Sequence, residues 1–473
     1  MKEHLLPVRI VASENAENVE ALFIAKVKQA PYRYDSEWRE GLTKVNGNGY
    51  IILDFGAEMH GGVRIITGLV SPRCAEIHIR FGESIGEVNS ALGEKNATNH
   101  HSQRDFKASI GDFGDVVFGQ TGFRFVRIDF ADNTRVEIQN IWAVNNIFSQ
   151  KPVYVYEGKD KRIAEIFEAA KRTVDLCASS GYVWDGVKRD RLVWVGDLHP
   201  EMMALEAIYG KVTAVERSLD FARKNAPLPN WMNNIPTYSQ WWIITLADYF
   251  QATKNEVFAS KQLDYIEKLI EQMNTYVEED GTLIYPKYLV DWPTKGTDDE
   301  LAGVRAIHIY AMNKAIELLG YFGRNTAIAI GLKEKLLRKP IEIVCKKQVI
   351  ALKYFALGSI SDEEYEKLIV NGSQGFSTFM SYYILTAIAS RDEKLAIRLM
   401  KEYYGAMIDR GATTFWEDFD MDWLDGTGSI DEITPAGLKD IHGDGGKFCY
   451  VGYRHSLCHG WSAGVAKFIK EHC

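Results

Sequence analysis

At 473 residues the chain is too long for one compact core and calls for two domains. Its 46% hydrophobic and 25% charged residues are those of an ordinary globular protein, and no stretch approaches the roughly 20 unbroken apolar residues of a membrane span. A net charge of −9, with Lys and Arg interspersed among the acids, excludes the concentrated positive face that nucleic acid requires.

The first ten residues lack the apolar core of a signal peptide, so a cytoplasmic setting is expected. Ala75, Ile77, Ile79 and Phe81 then alternate with polar residues, as do Val126, Ile128 and Phe130, and Val136 with Ile138. Period-two alternation is that of antiparallel strands with one wet face. Gly-rich turns are expected at 46–50, at Gly61-Gly62 and at 111–114, so residues 1–155 read as a β-sandwich. The polar stretch 96–103 carries His100 and His101; without an evident third ligand it reads as a solvated loop.

From about Lys159 the period changes. Ile163, Ile166, Phe167, Ala170, Val174 and Cys177 mark one helix face, and Leu263, Ile266, Leu269, Ile270 and Met273 another. Further helical patterns cover 201–222, 238–251, 304–321, 327–345, 373–390, 393–407 and 457–471. About a dozen helices without strands leave two architectures for 156–473, a closed barrel of paired helices or an open solenoid. Long aromatic connections favour the barrel. The six cysteines are scattered without a CxxC pair, which suggests reduced thiols and no zinc site.

The connections carry the chemistry. Tyr182-Val-Trp-Asp-Gly-Val-Lys-Arg-Asp-Arg-Leu-Val-Trp-Val-Gly-Asp197 holds acids, bases and indoles together, unlike a plain linker. The others are 230–242 with Trp231, Trp241 and Trp242; 285–293 with Asp291 and Trp292; 411–423 with Trp416 and Glu417; and 455–461 with His459. Most of the eleven tryptophans lie in or beside these segments. Indole faces suit the C–H faces of pyranose rings, while carboxylates, amides and imidazoles suit their hydroxyls. Cleaving a glycosidic bond needs two carboxyl groups from opposite sides, and two of these loops supply acids. Each residue also has a plainer role open to it: Asp185 capping a turn, Asp190 pairing with Arg189 or Arg191, Asp197 as an N-cap, Glu417 holding a base, Trp241 or Trp242 in the core.

Asp185-Gly-Val-Lys-Arg-Asp-Arg-Leu-Val-Trp-Val-Gly-Asp197 resembles the Asp-Cys-Pro-Gln-Arg-Glu-Arg-Leu-Gly-Trp-Thr-Gly-Asp signature of bacterial α-L-rhamnosidases, which are six-hairpin glycosidases. Gly411-Ala-Thr-Thr-Phe-Trp-Glu417 resembles their Gly-Ala-Thr-Thr-Leu-Trp-Glu, and Leu53-Asp-Phe-Gly56 and Gly122-Phe-Arg-Phe-Val126 resemble landmarks of the preceding β-sandwich. The resemblance implies an (α/α)6 barrel, an inverting mechanism and a compact version of the family, without its additional domains. It places the general acid at Asp190 and the water-activating base at Glu417. Asp185, Arg189, Asp197, Trp231, Trp242, Asp291, Trp292, Trp416 and His459 are then expected around the sugar. Across the pocket the two catalytic carboxyls should stand roughly 6.5–9.5 Å apart.

The family's acid is Glu, so Asp190 falls short by roughly 1.5 Å, a displacement that can cost about 100-fold in rate. Gly186, in place of Pro, would let the backbone approach. Two alternatives stay open: a six-hairpin hydrolase for another sugar such as a uronic acid, with Arg189, Arg191 or Arg454 on its carboxylate, or a carbohydrate-binding protein without activity. Asp418, Asp420, Asp422 and Asp425 lack the central Gly and terminal Glu of a calcium loop, and no metal or other cofactor is expected. The expected partner is a small carbohydrate, with neither nucleic acid nor membrane; a homodimer stays open.

Overall fold

The computed structural model describes residues 2–25, 39–448 and 450–473. The β region comprises β1 (Lys2–Leu5), β2 (Arg9–Glu17), β3 (Thr43–Ser71), β4 (Cys74–Gly82), β5 (Asp105–Gly111), β6 (Asp115–Phe130) and β7 (Arg135–Asn146), with helix α1 (Ile85–Asn89) after β4. These seven strands pair antiparallel in one sheet, ordered β1-β7-β3-β6-β4-β5 with β2 on β3. The long β3 is used twice. Both Thr43 and Thr67 stand opposite Ile138 of β7, so the sheet wraps back on itself around Leu53, Met59, Ile65, Phe81, Phe123 and Ile128.

The expected turns at 46–50 and 61–62 are instead places where β3 shifts register. A Cβ on Gly61 would lie 1.8 Å from the Val144 carbonyl oxygen, and one on Gly62 2.2 Å from that of Phe118. These glycines serve close strand approach rather than chain reversal.

Among the described residues thirteen α-helices follow β7. Six of them, α3 (Leu198–Tyr209), α5 (Pro236–Thr253), α8 (Glu300–Tyr321), α10 (Lys347–Leu357), α12 (Ser381–Ala389) and α14 (Val465–His472), pack neighbour to neighbour into a closed ring. Between them in sequence run α2 (Lys161–Cys177), α4 (Thr213–Asn225), α7 (Leu263–Asn274), α9 (Ala327–Leu336), α11 (Asp362–Ile369) and α13 (Glu393–Asp409), outside the ring; the short α6 (Glu256–Ala259) precedes α7. This is the six-hairpin barrel, and the open solenoid falls away. Burial follows the layers: α2 hides one stripe, whereas α5 is buried nearly all round.

The pattern at 201–222 divides into α3 and α4 at Gly210, whose φ of 69° ends α3. The pattern at 327–345 ends early, before Pro340. Among the described residues no helix is long and apolar enough to cross a membrane, and Cys74, Cys177, Cys345, Cys458 and Cys473 are free; Cys449 lies outside the described residues.

The sheet grips two barrel loops. The Arg124 guanidinium, paired with Asp54 at 2.9 Å, donates to the Gly411 carbonyl at 3.0 Å, and the Glu58 N–H donates to the Thr413 hydroxyl at 2.9 Å. The two β-sheet motifs noted in the sequence are therefore a buried ion pair that reaches the loop carrying Glu417. Lys188 of the α2–α3 loop lies 3.0 Å from Glu83 and 3.1 Å from Glu87, beside α1.

Candidate active site

Backbone hydrogen bonds stitch three loops together at one end of the barrel. The Gly460 N–H donates to the Asp185 carbonyl (2.7 Å), that of His459 to Phe415 (3.0 Å), and that of Glu417 to Ser456 (2.9 Å). Gly186 and His459 form a β-bridge, and a Cβ on Gly186 would lie 3.1 Å from the Cys458 carbonyl oxygen. Gly186 thus allows a close approach, whereas the unusual dihedrals fall on Asp190 and Arg191, both at φ 54°. Left-handed backbone at two successive non-glycine residues costs on the order of 1–3 kcal/mol each and marks a loop held by its surroundings.

A cavity of 280 Å³ opens here, lined by Asp185, Arg189, Asp190, Asp197, Glu417 and His459 and walled by Trp194, Tyr238, Trp292, Tyr450 and Trp461. Arg189 is its hub. One guanidinium nitrogen lies 3.0 Å from Asp190 Oδ1, the other donates to Glu417 Oε1, and Nε donates to the Arg454 carbonyl at 3.2 Å. Two contacts of about 3 Å across a guanidinium put the bridged oxygens of Asp190 and Glu417 within about 8 Å of each other. The two residues, far apart in sequence, meet over one cation.

Glu417 Oε2 accepts the Ser456 N–H at 3.1 Å, and His459 Nε2 lies 3.3 Å from Oε1. Burial alone would raise the Glu417 pKa, but Arg189 and His459 outweigh it and hold the carboxyl well below its ordinary range. A carboxylate offers about four lone-pair positions; three are engaged, which leaves one for water. His459 Nε2 also lies 3.8 Å from Asp185 and 3.9 Å from Asp197. Burial would lower His459, yet Glu417, Asp197 and Asp185 together raise it.

Asp197 stands at the N-cap position of α3 but makes no cap; its Oδ1 accepts the Tyr238 hydroxyl at 3.3 Å. Burial lifts its pKa to about 7, with the charge of His459 opposing and Glu417 adding to the rise. Asp185, lifted well above its ordinary value by burial, accepts the Leu192 N–H on one oxygen (2.8 Å) and closes the loop around Arg189 and Asp190.

Four residues expected around a sugar do not line this cavity. Trp242 lies inside α5, its indole N–H donating to the Leu219 carbonyl at 2.9 Å. Trp231 packs edge-on against Tyr276 and Tyr285, and Trp416 against Phe419 and His455, both buried. Asp291 is buried and caps the turn Trp292–Thr294, accepting the Trp292 N–H at 2.7 Å and the Ser377 hydroxyl. It presents Trp292 to the cavity rather than touching it. Tyr450, Lys287 and Lys295 line the cavity without having been singled out. Lys287 belongs to a loop picked for its aromatics, and no local pattern marks Tyr450.

The histidine loop does contribute: His101 Nδ1 accepts the Asp190 N–H at 2.9 Å. His100, His101 and Asp190 converge as metal ligands would, but this bond engages His101, and Arg454 lies 3.3 Å from His100 Nδ1. Glu83, Glu87 and His442 form a second such group, in which the Lys188 ammonium already stands between the carboxylates. Neither donor set fits a metal better than the hydrogen bonds it makes. A larger cavity, 410 Å³, lies beside α2 near Glu165, Lys171 and Asp175; it is lined by Ala412 and Thr413 of the second motif but by none of the acids Asp185, Asp190, Asp197 and Glu417.

Comparison with known proteins yields no matching family model and no matching curated protein. Among solved structures the chain is similar to a rhamnosidase from Klebsiella oxytoca with rhamnose bound (19% identity, TM-score 0.73, 100% of this chain and 96% of that one). It is also similar to a GH78 family rhamnosidase of Bacillus sp. GL1 (17%, TM-score 0.70, 95% of this chain and 48% of that one). A third likeness is to the alpha-L-rhamnosidase from Dictyoglumus thermophilum (13%, TM-score 0.65, 99% and 51%). The chain spans about half the length of the latter two. These structural neighbours are rhamnosidases, and what this chain shares with them is the fold.

Proposed function

We propose that this chain is an inverting glycoside hydrolase that removes a terminal α-L-rhamnose, or a sugar of similar shape, from a glycoside. The observation that carries the reading is the meeting of Asp190 and Glu417 at Arg189, inside one cavity walled by aromatic rings. The sugar ring lies between them, with its hydroxyls on Asp185, Asp197 and His459. Asp190 gives its proton to the departing glycosidic oxygen. Glu417, kept ionised by Arg189 and His459, takes a proton from the water that attacks the anomeric carbon on the opposite face. The left-handed backbone at Asp190 is the feature that compensates for its shorter side chain.

Asp197 supports a second assignment of the acid. With a pKa of about 7 it carries a proton near neutral pH, beside the same cavity. Nitrophenyl glycosides separate the two, because their leaving group needs little protonation. Substituting the true acid with Asn slows cleavage of an alkyl rhamnoside far more than that of the nitrophenyl one.

The test of the reading itself is product analysis by NMR on nitrophenyl α-L-rhamnoside. Because the limit of about 8 Å admits both inverting and retaining pairs, the first anomer formed decides the mechanism. Release of β-L-rhamnose, lost in Glu417→Gln while rhamnose still binds, is the expected result. Unchanged turnover in Glu417→Gln removes the mechanism, and binding without cleavage of any glycoside leaves a carbohydrate-binding protein.

A further inference from the structure

The charges lining the cavity are sorted by depth. Asp185, Asp197, Glu417 and His459 are buried at the floor, whereas Lys287 and Lys295 are exposed at the mouth and Arg454 is part-exposed there. These three cations come from two loops far apart in sequence. Among the described residues none pairs with a carboxylate. The Lys295 ammonium lies over the Trp292 ring at 4.8 Å, Arg454 lies 3.3 Å from His100 Nδ1, and Lys287 has no ion pair. In a chain with a net charge of −9, three cations lining one opening set its mouth apart from the acids on its floor. Like charges that converge repel, and an anion placed among them relieves the repulsion.

We propose that the mouth is a subsite for a hexuronate: the sugar to be removed is attached to an acidic sugar whose carboxylate meets Lys287, Lys295 and Arg454. This rests on the glycosidase reading and adds the chemistry of the leaving group. The subsite has a built wall. Asp291 caps the turn that carries Trp292, and the Trp292 indole N–H donates to the Tyr450 hydroxyl at 2.7 Å, so the ring and the lysine above it are held in place. The geometry favours a carboxylate over a phosphate. The backbone N–H of Trp292, which would help hold a dianion, is already taken by Asp291, and what remains are separate side-chain cations suited to one negative charge.

The test compares an α-L-rhamnosyl glucuronate with the matching rhamnosyl glucoside. The uronate is expected to show about tenfold higher kcat/KM at low ionic strength, with the advantage shrinking as salt is added, since exposed charges are screened. The ratio between the two substrates should collapse in Lys287→Ala/Lys295→Ala; both side chains are exposed, and Lys295 gives up its contact with the Trp292 ring. Equal rates on both substrates, or a ratio unmoved by the double substitution, overturn the subsite while leaving the hydrolase in place. Preference for a sulfated glucoside over the glucuronate overturns the carboxylate assignment. If neither disaccharide is cleaved, nitrophenyl α-L-rhamnoside decides the hydrolase reading separately. Calorimetry then decides the subsite: uronate binding to the wild type that is lost in the double variant keeps it, and no binding removes it.

Discussion

Lys188 and Arg189 are adjacent in sequence and face opposite sides of one loop, each toward a pair of carboxylates: both buried at Lys188, one buried and one part-exposed at Arg189. Lys188 donates to Glu87 and to the carbonyls of Tyr453 (2.9 Å) and His455 (2.6 Å), with Glu83 at 3.0 Å. Glu83 in turn accepts the Leu457 N–H at 2.6 Å and the Ser456 hydroxyl at 3.2 Å. That cluster is closed: its donors and acceptors face protein, and it joins sheet to barrel. Arg189 holds Asp190 and Glu417 with the same recipe of one cation and two acids, but its cluster lines a cavity and keeps a lone pair on Glu417 unused. Composition does not separate a structural cluster from a reactive one; access to a cavity does.

Four measurements break or sharpen that contrast. Lys188→Met leaves two buried acids without their cation and should destabilise the fold by about 3–5 kcal/mol in denaturant titrations, with turnover of the folded fraction within about tenfold of wild type. Asp197→Asn tests the open side through pH. A carboxyl raised to about 7 in the fold, against about 3.9 unfolded, adds stability that is full below pH 4 and lost as pH rises toward 7. The wild type should therefore lose up to about 4 kcal/mol relative to the variant across that window, read from unfolding midpoints at pH 4 and 7. Arg189→Met should lower turnover about 100-fold by freeing both carboxylates, and Arg189→Lys should not restore it, since an ammonium lacks the fork that spans two acids. The smallest effect belongs to Trp242→Phe: about 1 kcal/mol of stability for the lost bond to Leu219, with rhamnose affinity unchanged by calorimetry.

Much of this was legible from the chain. Alternation at Ala75–Phe81 and the helical spacing at Ile163–Cys177 report burial on one face, and burial is what the fold decides. The acids of 185–197 and Glu417 stood out because charged residues beside indoles are rare in plain connectors. The tryptophans misled for a physical reason. An indole on a cavity wall and one in the core have the same local sequence, and Trp242 differs from Trp292 only in that α5 begins at Pro236 and carries it inward. Asp291 misled similarly, since a carboxylate that caps a turn and one that binds a hydroxyl are the same residue with different neighbours. Tyr450 was hidden because its place depends on contacts from distant loops, which no local pattern encodes.

The sheet's hold on both loops reaches into dynamics. Arg124 and Glu58 fasten the segment leading to Glu417, and Glu83 and Glu87 fasten the one leading to Asp190, so both hang from a single stiff frame. Breathing of the surrounding helices then carries the two acids along as one body, and their spacing survives fluctuations that would blur it if each loop were tied only to its own hairpin.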